Sequence, residues 1–427
     1  MARFLIVVLV GIVLLSGCGG KEKKQGDVVT IRLVHPLETS RALWEEAVIK
    51  PFEKEFPKID VVLETVPYSL YVAKTMTSIA SGSKVGDVLF AEDWFGQELI
   101  KKGYAANLMP FVKRDLNLDQ FYSDLFEEWR GLSQNPDDLF AFPSALGLTV
   151  LFYNKDLFDK AGIPYPDSTW SYDDLVRVAK KLTVDKDRDG IIDQYGLIFD
   201  PHYTGLETII HSLGGRTLTK DYSRAALQDP STIRALQFVQ DIFVKEKIAP
   251  PASSFINPAE PFLLQRGAMT LIGSSWAINL KDASFRWDMA VPPMGPNDVR
   301  LSRRYSYAFL IPKNTEHSDE AWQLLHWILT RIPPDKFDQL YNYMMPTNRN
   351  LTSTREWLNS EPKYDRQVLV QLQNGESFPL FTPGWQEWRD NIFTPEMLTM
   401  IQGKESVEEF ARRVEPKINA VLARARE

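Results

Sequence analysis

Three sets of side chains in this 427-residue chain are suited to chemistry, and each set suits a different kind. Cys18 is the only cysteine, so it has neither a disulfide partner nor companion thiolates for a metal site. It follows Leu15-Ser16-Gly17, at the end of an apolar run from Phe4 to Leu15 that Arg3 precedes. That run has the signal-peptide pattern and is too short to cross a bilayer comfortably. Leu15-Ser16-Gly17-Cys18 looks like a lipobox, so residues 1–17 are expected to be removed and Cys18 to carry lipid, the alternative being a plain secretory signal. Residues 18–27, the lipidated Cys and a polar, glycine-containing stretch, then form a solvated tether. The second set is Asp185, Asp187, Asp189 and Asp193, which with Gly190 match the first nine positions of an EF-hand calcium loop. Alternate oxygens turn inward there and the glycine permits the bend, which suits a structural calcium. Position twelve is Gly196 instead of a bidentate Glu, so the shell needs another donor, and an Asp-rich exposed turn is the alternative. The third set is aromatic: 24 Phe, 15 Tyr and 11 Trp exceed what core filling usually takes, leaving rings for a binding surface.

Other chemistries lack their signatures. No Gly-x-Ser-x-Gly elbow, His-Glu-x-x-His helix or phosphate loop is present, and the five histidines are scattered. With 56 acidic residues, spare carboxylates do not single out a glycosidase pair. A net charge of −7 leaves no basic footprint, so no nucleic acid partner is expected. No second apolar span follows the first, and the mature body is expected to be soluble.

The elements that must position these residues can be read from local patterns. Val28–Val34, Asp60–Val66 and Val85–Phe90 are short and mostly β-branched or aliphatic, as strands are. A helical pattern around Leu43–Phe52 and another over Leu70–Ala80 separate them. This β-α-β-α-β opening predicts a parallel sheet with ligand loops beyond the strands' carboxyl ends, starting at His35, Tyr68 and Ala91. Ser171 with Asp174 resembles a capping box, Asp229-Pro230 begins a helix well, and further helices start at Ser318, lie near Met397 and run over Val407–Leu422. About 410 residues after the leader suit two domains, and the class is α/β throughout.

Along the chain stand, in order, Gly86-Asp87-Val88 with Glu92-Asp93-Trp94-Phe95-Gly96; Tyr153-Asn154-Lys155-Asp156-Leu157-Phe158 with Ala161-Gly162-Ile163 and Thr169-Trp170; Gly267-Ala268-Met269 with Gly273-Ser274-Ser275-Trp276; Pro346-Thr347-Asn348-Arg349; and Trp385-Gln386-Glu387-Trp388-Arg389. Over almost all of the mature chain this series resembles the family 1 extracellular solute-binding proteins, which include the maltose-binding proteins. The block at Tyr153 is its most specific part. The resemblance implies an α/β, two-lobed periplasmic-binding-protein fold of type II, each lobe a mixed, mostly parallel sheet flanked by helices. The hinge would be crossed near Ala145, Arg304 and Tyr343, giving lobe 1 residues 28–145 and 304–343 and lobe 2 residues 149–303 and 345–427.

By the same resemblance, Asp93 and Trp94 lie in a ligand loop, Asp200-Pro201-His202-Tyr203 forms an acidic-Pro-aromatic loop, Trp276 stacks on ligand, and Trp385 with Arg389 form a late aromatic and basic pair. Core packing is the alternative for Trp276 and Trp385, and a solvated loop position for Asp93; Trp170 reads as structural. Gly147 departs from the pattern, standing where maltose-type members carry an acidic ligand residue. The segment His35-Pro36-Leu37-Glu38-Thr39-Ser40-Arg41 has no close match, so His35, Glu38 and Arg41 are contacts by position alone. The implied function is the extracytoplasmic receptor of an ABC importer, lipid-anchored to the outer face of the cell membrane or in the periplasm. It would bind a sugar or oligosaccharide reversibly, as a monomer and without a required cofactor, and deliver it to the permease's transmembrane subunits. The alternatives are the same fold with a non-sugar solute, a secreted carbohydrate-active enzyme, and a lipid-anchored adhesion protein.

Overall fold

A computed structural model describes residues 28–36, 41–131, 133, 135–202, 204–251, 259–380, 382 and 384–426. Among the described residues run ten strands: β1 Val29–Pro36, β2 Ile59–Val66, β3 Val88–Glu92, β4 Phe142–Asn154, β5 Tyr195–Ile198, β6 Gly267–Gly273, β7 Trp287–Ala290, β8 Ser302–Leu310, β9 Met345–Pro346 and β10 Ser377–Pro379. The main path is β2-β1-β3-β8-β4-β6-β5, with β10 on β8, and β7 and β9 on β4. β1 pairs parallel with β2 and β3, as the β-α-β-α-β opening predicts, whereas β8 enters antiparallel between β3 and β4.

β4 divides the molecule's hydrogen bonding. Its first half, Phe142–Leu148, pairs with β8; its second half, Thr149–Asn154, pairs with β6 and β7. All thirteen residues of β4 are buried, and its pairings make one strand, with a register shift between Pro143 and Ala145, end one sheet and begin another. Three apolar clusters follow from this arrangement. One gathers residues between Ile31 and Ala145 with Ala308 to Met344. A second joins parts of 151–290 to Leu380–Leu422, under the helices Tyr172–Leu182, Gly205–Ser212, Pro230–Val244 and Val407–Arg426. A third lies on the remaining face of β4 and β7, reached by Tyr343, Trp357 and Leu369 as well as by Tyr122 and Leu125.

The local signals act as their chemistry dictates. Ser171 Oγ accepts from the Asp174 N–H at 3.1 Å while the Asp174 carboxylate accepts from the Ser171 N–H at 3.0 Å, a reciprocal cap despite the shorter Asp side chain. Pro230 opens its helix after Asp229, where a missing N–H costs nothing. Trp170 is buried against Phe158, in keeping with a structural role.

Candidate functional site

The junction of the two sheets holds a cavity of about 380 Å³. Glu92, Asp93 and Trp94 enter it from the β3 end and the first turn of helix Asp93–Lys101; Arg303, Tyr305 and Tyr307 from one face of β8; Gly273, Ser275 and Trp276 from the end of β6; His202 and Thr204 from the turn after β5; Trp385 and Arg389 from a late helix. Six residues singled out in the sequence, Asp93, Trp94, His202, Trp276, Trp385 and Arg389, thus line one space although they lie up to 296 positions apart in sequence, from 93 to 389.

Each is held by something. Trp94 donates its indole N–H to Glu92 at 3.1 Å and its backbone N–H to Asp93 Oδ1 at 2.8 Å, and it packs on both the first and the second apolar clusters. Asp93 Oδ2 is buried, has no hydrogen-bond partner among the described residues, and sits 3.9 Å from an Arg303 nitrogen. Burial pushes the Asp93 carboxyl up, against the pull of the Arg303 guanidinium and the Trp94 N–H. Trp385 precedes a π-helical turn, Gln386–Phe393, that carries Arg389. The guanidinium carbons of Arg303 and Arg389 lie 5.0 and 5.4 Å from the Trp385 ring centre, placing two cations on one indole. Glu207, fully buried, accepts from Thr217 Oγ1 at 3.0 Å; burial raises its carboxyl, and Arg389 and Arg303 draw it back. Asp93 and Glu207 therefore face two guanidiniums, and Glu92 adds a third carboxylate to the surroundings.

Asp200 does not line the cavity. It stands behind His202, accepting its backbone N–H at 2.8 Å and meeting its Nδ1 at 2.6 Å, so the acid orients the half-exposed imidazole. His35 is a correction. It is 5% exposed and packs against Trp44 and Phe90 at 4.6 and 4.5 Å between ring centres, because on β1 it shares the inward face with Ile31 and Leu33. Arg41 pairs with Glu45 at 2.8 Å on an exposed helix start, away from the cavity. Glu38, Tyr203 and Cys18 lie outside the described residues.

Sequence reading missed Glu92, Thr204, Ser275, Arg303, Tyr305 and Tyr307. The last three had a signal: Arg303, Tyr305 and Tyr307 recur with period two, which puts them on one face of a strand. On the opposite face Arg304 forms ion pairs with Asp124 and Glu128, and Ser306 accepts from the Trp129 indole at 3.1 Å. The Gly147 departure has a structural reason, since Tyr305 lies opposite it in the β4–β8 register and occupies the space a side chain there would need.

In the acidic loop, Asp185, Asp187 and Asp193 each offer an oxygen within 4.8 Å of the others. Asp189 is not in that group; its carboxylate accepts the Ile191 N–H at 2.7 Å. No described helix is long and apolar enough to cross a membrane.

Two sheets sharing a strand, with an aromatic and ionic cavity at the junction, define a ligand-binding class of α/β protein. The chain belongs to the bacterial extracellular solute-binding protein family, whose profile matches residues 35–331. An arabinooligosaccharide-binding protein of Bacillus subtilis is 24% identical over 340 residues, 75% of this chain and 74% of the relative. An ABC substrate-binding protein of Listeria monocytogenes, solved with cycloalternan, superposes with a TM-score of 0.80 at 21% identity, covering 93% of this chain and all (100%) of that one. UgpB of Mycobacterium tuberculosis, solved with glycerophosphocholine, gives a TM-score of 0.77 at 17% identity over 94% of this chain and 100% of that one. These structures have the same fold: a mixed α/β solute-binding architecture. The family and these relatives are binding proteins, and the family's extracellular description agrees with an extracytoplasmic location.

Proposed function

We propose that the chain is the receptor of a carbohydrate ABC importer, taking a neutral sugar or short oligosaccharide reversibly in the cavity and passing it unchanged to the permease's transmembrane subunits. The carrying observation is the lining itself: the rings of Trp94, Trp276, Tyr305, Tyr307 and Trp385 surround a nearly charge-balanced set of carboxylates and guanidiniums. A sugar has apolar C–H faces and a polar rim. Covering a face with a ring is worth about 1.5–3 kcal/mol, each hydrogen bond nets about 0.5–1.5, and an unmatched buried hydroxyl costs about 1–3. Stacking thus supplies affinity and hydrogen bonding supplies selectivity. The Bacillus relative is named for an arabinooligosaccharide, and the Listeria structure holds cycloalternan. The fold also serves glycerophosphocholine in UgpB, so a charged solute is the second reading. In the lining itself, the balance of Glu92 and Asp93 against Arg303 and Arg389 favours a neutral one.

Residues 28–145 with 304–343, and 149–303 with 345–427, are the two lobes of this reading, and solute touching both stabilises the closed arrangement. Tryptophan fluorescence titrated with mono- and oligosaccharides tests it. Saturable one-to-one binding without product formation is expected, and Trp276→Ala should weaken it more than about tenfold with the fold intact. Bond cleavage during incubation, or unchanged affinity in Trp276→Ala, would sink the proposal.

Lipid on Cys18 would hold a monomeric receptor at the membrane. Cys18→Ser protein should move to the soluble fraction, and persistence in the membrane fraction rules the anchor out. Asp185, Asp187 and Asp193 would take a structural calcium, completed by water or a remote carboxylate. Millimolar calcium should then raise Tm in the native protein and not in Asp187→Asn; equal melting curves leave an ordinary acidic turn.

A further inference from the structure

Tyr305 sits where the two sheets meet, and its surroundings are built around its ring. It projects from β8 directly opposite Gly147 of β4. A Cβ added at Gly147 would lie 2.0 Å from Tyr305 Cζ, and one added at Gly273, at the end of β6, would lie 2.5 Å from its hydroxyl oxygen. Those approaches are far inside contact distance, so both glycines are required for the ring to rest there. The phenol is tied at its far end: Ser275 Oγ is 2.7 Å from the Tyr305 hydroxyl, and the Ser275 N–H donates to it at 3.3 Å. Ser275 is the residue before Trp276. One phenol therefore links β8 to the turn that presents the Trp276 indole, while its ring forms part of the cavity wall.

We propose that Tyr305 is a specificity-determining residue of the cavity: its ring, seated over Gly147 and Gly273, receives the C–H face of a six-membered sugar ring and fixes the Trp276 turn. This rests on the reading of the cavity as a saccharide site. A pyranose chair offers a broad run of axial C–H groups to an aromatic face, whereas a puckered five-membered ring offers less contact. The cavity then favours pyranosides over furanosides. Gly147, which does not line the cavity, controls affinity through the ring it accommodates.

The test is a titration of wild type and variants with maltose, cellobiose and arabinobiose, the last built of five-membered rings, with near-ultraviolet circular dichroism and Tm recorded for each protein. Maltose or cellobiose should bind more tightly than arabinobiose. Tyr305→Ala and Gly147→Ala should each weaken that binding more than about tenfold, and the double variant should bind no more than about twofold worse than Tyr305→Ala, because once the ring is gone the added methyl has nothing to displace. Tyr305→Phe keeps the stacking face but loses the tie to Ser275, so it should recover most of the affinity lost in Tyr305→Ala while altering the near-ultraviolet signal of the Trp276 turn. Additive losses, or retained affinity in Tyr305→Ala, would overturn the role of the ring, and preference for arabinobiose would overturn the pyranose assignment. If Tyr305→Ala or Gly147→Ala unfolds, Tyr305→Phe against wild type decides alone: a loss of more than about tenfold contradicts the proposal. Wild type that takes none of the three disaccharides, nor any saccharide in the wider fluorescence titration, removes the underlying reading itself.

Discussion

His211 and Phe378 stack with ring centres 3.9 Å apart and planes 7° from parallel, joining helix Gly205–Ser212 to β10. Burial, with Arg216 and Arg303 nearby, pulls this imidazole down to about 3, and burial pulls His35 down to about 3 as well. The folded protein therefore keeps both rings neutral at pH values where the unfolded chain, titrating near 6.5, takes up protons. As pH falls from 6.5 toward 3, each ring removes about 1.4 kcal/mol of stability per pH unit. Glu128 works the other way: burial pushes it up to about 7 despite Arg304, so its contribution is lost as pH rises from 4.5 through 7. The histidine share is isolated by comparing Tm between pH 7.5 and 5 in wild type and in His35→Phe with His211→Gln. The double variant should lose less on acidification, and parallel curves would refute the assignment. His35 was legible as core from alternation with Ile31 and Leu33; its place at the expected start of the loop after the first strand made it look like a contact. Trp276 and Asp93 were legible through the family resemblance, and Asp93 also because a ligand loop was expected to start at Ala91. Arg303 was legible only as one position on a period-two strand face, since its value as a site residue comes from Trp385, 82 positions further along the sequence (385 against 303).

Helix Asp93–Lys101 does more than deliver Asp93 and Trp94. Its Glu98 accepts the Gly384 N–H at 3.3 Å, and its Lys101 donates to the Ala425 carbonyl, so a helix of the first apolar cluster is fastened to segments of the second. Two hydrogen bonds of this kind, one part-buried and one exposed, are worth about 1–3 kcal/mol together, enough to bias an opening equilibrium severalfold. Glu98→Ala with Lys101→Ala should raise the solute-free radius of gyration in small-angle scattering and weaken saccharide binding about three- to tenfold. Unchanged scattering and affinity would show these contacts to be incidental. Most elements were readable from local chemistry: the cap at Ser171, Pro230 at its helix start, the stripe of Ala321, Leu324, Leu325 and Ile328. The π-helical turns at Glu45–Ile49 and Gln386–Phe393 were not, because one extra residue per turn leaves no mark on an apolar spacing read at 3.6 residues per turn.

At the scale of the molecule, the opening parallel units followed from sequence because consecutive strands joined by helices have few right-handed solutions. The antiparallel entry of β8 between β3 and β4 did not, for strand partners separated by more than 150 positions leave no mark on local pattern. The cavity inherits this: its β3 side could be expected, its β8 side had to be seen. β4 carries a further implication. Severing the chain between Leu148 and Thr149 would give each fragment a raw, apolar strand end without its continuation, and such ends zip onto whatever backbone they meet. The receptor therefore cannot be reduced to either half for engineering, and any circular permutation must open it elsewhere than in this shared spine.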